Sequence, residues 1–243
     1  GVSVANVPSI ASTVRANPSA GFSIVSYTGN GTINSTVGHG LNAAPEFIVI
    51  KNRDSSQPWA VLHTSAGTTG TILDGSPEYY MLQLDSSAAR NNFTNDNIWD
   101  PTTSTFKING AGTGGWVNYS GDDSIAYCFS SVEGYSAMGS YVGTNSADGP
   151  FVYTGFRPAF VLLKNITSSG TYWTIHDNKR LGYNPDQDLL FANTSDAENA
   201  TSYMDFLSNG FKLRINSSFA NASGATFVYA AFAEHPFKTA RAR

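Results

Sequence analysis

The sequence predicts an all-β protein made of two tandem, repeat-related antiparallel β-sandwich units of the jelly-roll or lectin-like type, with little helix. Three observations support this prediction. The second half of the chain repeats the first half in order. Short apolar segments alternate with turn signals rich in glycine, asparagine and aspartate. Only 13% of the residues are charged, while small polar residues are abundant, which is typical of turn-rich β structure with a neutral surface.

The internal repeat rests on residues that recur in the same order in both halves. The segment Ser26–Gly29 corresponds to Ser140–Gly143, and Pro45–Lys51 corresponds to Pro158–Lys164. The anchor pairs are Tyr27 and Tyr141, Lys51 and Lys164, Trp59 and Trp173, Phe106 and Phe211, and Phe129 and Phe232. The period is far longer than the ~20–50 residues of a solenoid repeat, so each copy is expected to be a domain-sized unit. We therefore expect the members of each pair to occupy equivalent strands.

The repeat divides the chain into three segments. Residues 1–20 fit neither copy and are expected to form an N-terminal arm, with one or two helical turns between Pro8 and Pro18. Residues 21–133 form the first β-sandwich copy and residues 134–243 the second. Because apolar side chains in the arm are costly to leave in water, we expect the arm to dock on an adjacent chain of an oligomer.

Each copy shows a series of short strands separated by turns. The strand that opens the first copy alternates apolar and polar residues and ends at a glycine-rich turn, whereas the continuous apolar run at 47–50 indicates a central strand. The segment at 35–41 is expected to be an edge strand. In order, the first copy has predicted strands at 22–27, 35–41, 47–50, 59–63, 79–84, 105–108 and 125–132. The second copy has them at 140–143, 151–154, 160–163, 172–177, 211–215 and 226–233. Residues 196–207 have apolar positions near helical spacing and are predicted to form a helix.

Composition excludes several classes of function. The formal net charge is −4 and the chain has no basic block, so a nucleic-acid partner is not indicated. No apolar run approaches the ~18 residues of a membrane span, and no signal-peptide pattern opens the sequence. The single cysteine, Cys128, excludes an internal disulfide and is interpreted as a small buried hydrophobe rather than a reactive thiol.

Candidate catalytic residues do not form a consistent set. His63 follows Trp59 by four residues, whereas His176 follows Trp173 by three and Asp177 takes the matching place, so the repeat predicts no shared histidine site. These strand residues are expected near a sheet surface. Glu133 and Glu234 end equivalent strands of different copies, which favours a surface role over a pair of glycosidase carboxylates facing each other across a cleft. The sequence contains no nucleophile elbow or phosphate loop, so no catalytic residue and no cofactor are predicted.

A calcium site near Asp186 and Asp188 is a weaker alternative. Two aspartates separated by one residue in a loop, with Asp177 nearby, offer oxygen ligands. They lack the glycine and glutamate that complete a known calcium loop, so no metal site is predicted.

Aromatic residues in loops suggest a carbohydrate-binding surface. Exposed rings stack on the apolar faces of sugars, while neighbouring amides bond hydroxyl groups. The alternative is that the rings pack back onto the sandwich. The candidate sugar-stacking residues are Tyr79, Tyr80, Trp99, Trp116 and Tyr119.

Several phrases of the sequence resemble a known group of proteins. The most specific are Ser146–Pro158 and Asn209–Lys212, supported by 21–32, 43–53, 124–164, 205–214 and 222–238. Across residues 14–243, the chain resembles a tandem β domain at the C-terminal end of tail-fibre and other virion structural proteins of tailed bacteriophages. The resemblance carries no catalytic motif.

The resemblance implies a function as a virion structural protein on the phage particle surface or tail. Such a protein would be a tail-fibre or appendage component with a host-receptor role, binding a surface glycan. It implies a homo-oligomer, with a trimer favoured, in contact with other virion proteins and without nucleic-acid or membrane partners. The alternative is a glycan-active, depolymerase-like domain or a lectin-like domain, which a carboxylate pair in a cleft would favour.

Overall fold

The computed structural model describes residues 7–72, 77–91, 98–109, 115–180, 184 and 186–235. The chain divides into two compact units, residues 1–84 with 90–130 and residues 85–89 with 131–243. All pairs of named strands are antiparallel and the described residues contain no α-helix, so the all-β class is confirmed. No helix in this part of the chain has the length and apolar character needed to cross a membrane.

The first unit consists of two main sheets and a small hairpin. The larger sheet has the order β1-β2-β11-β4-β5-β8, the second sheet has the order β3-β10-β9, and β6 pairs with β7. The strands are β1 Ser12–Asn17, β2 Phe22–Thr28, β3 Ser35–Gly38, β4 Phe47–Asn52, β5 Ala60–His63, β6 Thr68–Ile72, β7 Pro77–Tyr79, β8 Met81–Gln83, β9 Ile98–Trp99, β10 Thr105–Ile108 and β11 Asp123–Phe129.

The second unit is built from one long sheet with the order β12-β19-β14-β15-β16-β17-β18-β13. Its strands are β12 Ser136–Val142, β13 Phe151–Tyr153, β14 Pro158–Asn165, β15 Thr174–Asp177, β16 Asp186–Phe191, β17 Asn199–Leu207, β18 Gly210–Leu213 and β19 Thr226–Ala233. The sheet folds over itself, because Phe211 of β18 lies 5.4 Å from Tyr229 of β19, measured between ring centroids, although these strands are not neighbours.

The two units share one strand order. The series β2-β11-β4-β5 matches β12-β19-β14-β15, and β3 beside β10 matches β13 beside β18. Lys51 and Lys164 lie on the matching strands β4 and β14, and Phe129 and Phe232 lie on β11 and β19. The expectation that the anchor pairs occupy equivalent strands is therefore confirmed for four of the five pairs, while Trp59 and Trp173 lie directly before the matching strands β5 and β15.

Strand patterns in the first unit explain its core. Along β2, alternate residues including Val25 and Tyr27 are buried, as expected for a strand with one face on the core. The run Phe47–Ile50 is buried throughout and lies between β11 and β5, as expected for a central strand. Phe106 of the second sheet joins the same core cluster, so the two sheets pack face to face. The predicted edge strand, β3, lies at the edge of its sheet.

The N-terminal arm is not separate from the first copy. Residues 12–17 form β1, which pairs with β2 in a register that joins Ser12 to Tyr27 and Asn17 to Phe22. Ile10 is 5% exposed and belongs to the core of the first unit. The expectation of a separate arm is therefore wrong for these residues. They lie at the edge of the first unit and form part of it. Residues 1–6 lie outside the described residues.

The helix predicted at 196–207 is also wrong. Residues Asn199–Leu207 form β17, which pairs with β16 on one side and β18 on the other. A turn at Ser208 and Asn209 reverses the chain immediately after β17 and pairs Leu207 with Gly210, so pairing in the sheet outweighs the modest helical preference of the segment.

Candidate functional site

Equivalent polar residues hold the same loops in both units. The Tyr27 hydroxyl donates to the Val117 carbonyl oxygen at 2.6 Å, and the Tyr141 hydroxyl donates to the Ala220 carbonyl oxygen at 2.6 Å. Burial raises the pKa of both phenols, so these groups stay protonated and keep donating. The repeat therefore preserves a buried hydrogen bond between β2 or its equivalent β12 and the loop before the last strand of the unit.

A buried asparagine completes this loop in each unit. Asn118 accepts a hydrogen bond from the Asn30 backbone nitrogen at 2.9 Å and donates to the Thr32 carbonyl oxygen at 2.8 Å. Asn221 accepts from the Thr144 nitrogen at 2.7 Å and donates to the Ser146 and Ile215 carbonyl oxygens at 2.8 Å each. Both side chains are 0% exposed, so they act within the fold rather than on a ligand in solvent.

In each unit, the anchor lysine donates a hydrogen bond to the turn that follows the central strand. Lys51 Nζ donates to the Gln57 carbonyl oxygen at 2.8 Å, and Lys164 Nζ donates to the Thr171 carbonyl oxygen. The Asn52 side chain in the first copy, and Asn165 in the second, accepts backbone hydrogen bonds from the same turn. Lys164 is 0% exposed, and burial lowers its pKa to about 8.

We expect the stability of the wild-type protein to rise relative to Lys164→Met as the pH increases from about 8 to about 10.4. In this window the unfolded chain keeps the lysine proton, because an unperturbed lysine has a pKa near 10.4, whereas the folded chain has lost it. The difference in unfolding free energy should grow by about 1 kcal/mol per pH unit. Urea unfolding of both proteins at several pH values measures it. Cys128 and the buried tyrosines titrate in both proteins, so they cancel, and a difference independent of pH would contradict the expectation.

The predicted sugar-stacking residues do not form one exposed patch among the described side chains. Tyr79 and Trp116 are partly buried and pack against the core of the first unit. Tyr80 is half-buried, with the Arg90 guanidinium 4.5 Å from its ring centroid. Tyr119 is half-buried in the loop that carries Asn118. The Trp99 side chain lies outside the described part of the structure, although its backbone belongs to β9.

The histidines are not near the surface, and that expectation is wrong. His63 is 1% exposed and His176 is 0% exposed. His63 Nδ1 accepts from the Ser65 nitrogen at 3.2 Å, and the His176 ring lies 5.6 Å from the Tyr203 ring, between centroids. The strand β5 is buried throughout, whereas β15 alternates and His176 lies on its buried face, which a short apolar run in the sequence does not reveal.

The candidate acids are held by neighbouring side chains or lie apart. Asp177 Oδ2 lies 2.8 Å from Arg180 Nε, and Glu234 Oε2 lies 3.1 Å from Arg157 Nε. Glu133 is exposed in the turn that follows β11.

The aspartates considered for calcium lie on β16 rather than in a loop. Asp188 is 7% exposed, and the Asp186 side chain is outside the described part of the structure. Within the described residues, no group of three or more histidine, cysteine or acidic residues could hold a metal ion. Cys128 is buried in the first core, as predicted, and burial raises its pKa to about 12.

A shallow polar depression lies on the first unit. Its volume is about 240 Å³, and its wall includes Ser12, Thr28, Arg53 and Asp123. The Thr28 hydroxyl donates to Asp123 Oδ1 at 2.7 Å, so part of this polar surface is already bonded within the fold.

Among the described side chains, the most exposed aromatic residues lie on β13 of the second unit. Phe151 is 44% exposed and Tyr153 is 67% exposed, while Val152 between them is 5% exposed. Beside them, Lys212 Nζ lies 2.6 Å from Asp148 Oδ1, and this hydrogen bond is the main reason that the Asp148 pKa is lowered. Sequence reasoning predicted this strand but not its outward face, because three consecutive apolar residues do not show which side is buried.

The fold, with its repeated hydrogen bonds to equivalent loops, is that of an all-β protein made of two copies of one sandwich. The chain belongs to the family described as "Domain of unknown function (DUF7483)", whose model matches residues 1–236 and so spans both copies. No curated protein and no solved structure matches the chain.

Proposed function

We propose that this chain is a non-enzymatic structural protein of a bacteriophage virion, located in a tail fibre or another appendage. The observation that carries the proposal is the use of the repeated polar residues. In both units, the matched tyrosines, asparagines and lysines hold loops of their own unit, as the Asn118 and Asn221 amides illustrate. Because these side chains hydrogen-bond within their own unit, they favour a rigid structural role. The sequence resemblance to virion proteins supports the biological setting.

The proposed partners are further copies of this chain, other virion proteins and a glycan on the host surface. Tyr79 and Trp116 pack against the core of the first unit, so they are poorly placed to stack on a sugar. The half-buried Tyr80 and Tyr119 are the remaining described candidates for glycan contact.

A depolymerase is the alternative, and the positions of the acids argue against it. A hydrolytic pair needs two carboxylates that face each other across a cleft about 5 to 10 Å wide. Asp177 and Glu234 instead pair with Arg180 and Arg157, which suits a structural role.

Mass spectrometry of gradient-purified particles tests the proposal. We expect peptides of this chain to co-purify with the major capsid protein at a constant ratio across the particle peak. A phage-encoded replication protein serves as the control and should be depleted from the same fractions. If the chain is depleted to the same extent as the control, it is not a virion component.

A further inference from the structure

The outer edge of β3 in the first unit is covered by the segment at residues 8–12. The Ile10 nitrogen donates to the Thr36 carbonyl oxygen at 3.0 Å, and the Thr36 nitrogen donates to Ser9 Oγ at 2.8 Å. The Ser12 hydroxyl donates to the Gly38 carbonyl oxygen at 3.3 Å. The outward backbone groups of this edge strand therefore have partners, and Ile10 is buried over it.

The strand β13 is the counterpart of β3 in the second unit. On β10, Lys107 pairs with Thr36 and Phe106 with Val37, while on β18 Lys212 pairs with Phe151 and Phe211 with Val152. Since Phe106 and Phe211 are equivalent, the three residues of β13 occupy the places of the last three residues of β3. Phe151, Val152 and Tyr153 thus correspond to Thr36, Val37 and Gly38.

The corresponding edge of β13 carries no such segment among the described residues. The strand pairs with β18 alone, and its flanking bonds, Leu213 nitrogen to Pro150 oxygen and Thr154 nitrogen to Asn209 oxygen, point toward β18. Because backbone groups alternate along a strand, those of Phe151 and Tyr153 point away from β18. This outward row and the two exposed rings are called the β13 edge below.

The β13 edge does not suit the segment that covers β3. A Cβ atom at Gly38 would lie 3.1 Å from Pro8 Cγ, and the second unit has Tyr153 at this place. A side chain at this place would therefore crowd a proline in the position of Pro8. The occupant of the β13 edge must instead offer an extended backbone and a surface for two aromatic rings.

We propose that the β13 edge binds the β13 edge of a second copy of this chain, in an antiparallel pair centred on Val152. This register places Phe151 of one copy opposite Tyr153 of the other, and the two outward residues of each strand exchange about four backbone hydrogen bonds. Cross-strand aromatic pairs add to the stability of such a contact. The strand has only three residues, so the pairing closes as a dimer rather than extending along a long edge. The proposal predicts a twofold contact, unlike the trimer that the sequence resemblance implies, and it does not depend on the proposed function.

Sedimentation equilibrium of the full chain tests the proposal. We expect a monomer–dimer equilibrium below about 100 µM, with the dimer weakened about tenfold or more by Tyr153→Lys, because a lysine places a charge on the paired edge. Phe151→Thr introduces the residue type that the first unit has at the equivalent position, Thr36, and should also weaken the dimer. Both side chains are exposed, so folding should persist, which circular dichroism checks. Ile33→Lys is the matched control, since Ile33 is 50% exposed in the first unit, and it should leave the dimer unchanged.

Hydrogen exchange of the Phe151 and Tyr153 amides gives the position of the contact. Exchange at these two amides should slow as the protein concentration rises, and the slowing should be absent in Tyr153→Lys. A wild-type monomer at all concentrations tested, a trimer, or a dimer that Tyr153→Lys leaves intact would each overturn the proposal.

Discussion

Replacing Gly29 or Gly143 with alanine is expected to destabilise its unit by about 3 kcal/mol or more. A Cβ atom at Gly29 would lie 2.2 Å from the Tyr119 carbonyl oxygen, and one at Gly143 would lie 2.2 Å from the Ala222 carbonyl oxygen. Both obstacles are backbone atoms, which cannot rotate away. The loop would have to move, although the Gly121 and Gly224 nitrogens hold it by donating to the Gly29 and Gly143 carbonyl oxygens at 2.9 Å.

Thermal unfolding of the two variants measures this effect. Gly121→Ala and Gly224→Ala are matched controls in the same loops, because a Cβ atom there meets no described atom within 4 Å. Their positive φ angles, 91° and 70°, still disfavour alanine, so we expect a loss of about 1 kcal/mol for each control. Equal losses in the variants and the controls would show that close approach is not the reason for these glycines.

Asn221→Ala and Asn118→Ala are expected to cost about 3 kcal/mol each. The Asn221 change leaves the Thr144 nitrogen and the Ser146 and Ile215 carbonyl oxygens without their side-chain partner, and a buried polar group without a partner costs about 1–3 kcal/mol. Asn118 serves the equivalent groups in the first unit.

Urea unfolding tests whether the two asparagines are equivalent. Asn17→Ala is the control, since this exposed side chain accepts bonds only from its near neighbours, the Ser19 hydroxyl at 2.7 Å and the Ala20 nitrogen at 3.3 Å, and its loss should cost about 1 kcal/mol or less. Losses for Asn118→Ala and Asn221→Ala as small as that of the control would contradict the role assigned to them.

The sequence predicted those parts of the fold that depend on repetition and local pattern. The pairs Tyr27 with Tyr141 and Lys51 with Lys164 proved to mark equivalent hydrogen bonds in the two units. The hydrogen bonds of the two buried asparagines were not predicted, although Asn118 and Asn221 each begin the pattern Asn-x-Ser-Gly. That pattern is common in turns, so only the matched position in the two copies could have distinguished it.

Features that depend on distant partners could not be predicted. The segment 12–17 has no repeat counterpart, so nothing in the sequence shows that it pairs with β2. The segment 199–207 contains residues compatible with a helix, and only its neighbours β16 and β18 make it a strand. The exposure of Tyr153 depends on which edge of the second unit is covered, and apolar residues alone do not determine this.

Antibody-gold labelling of intact particles is the most direct test of the proposed virion role. An antibody raised against this chain is applied to purified phage, and the gold positions are recorded by electron microscopy. If the chain is a virion component, we expect gold at a fixed place on a tail fibre or another appendage. This labelling should be abolished when the antibody is first absorbed with the purified chain. Unlabelled particles, with the chain detected only in the soluble fraction of the lysate, would contradict it.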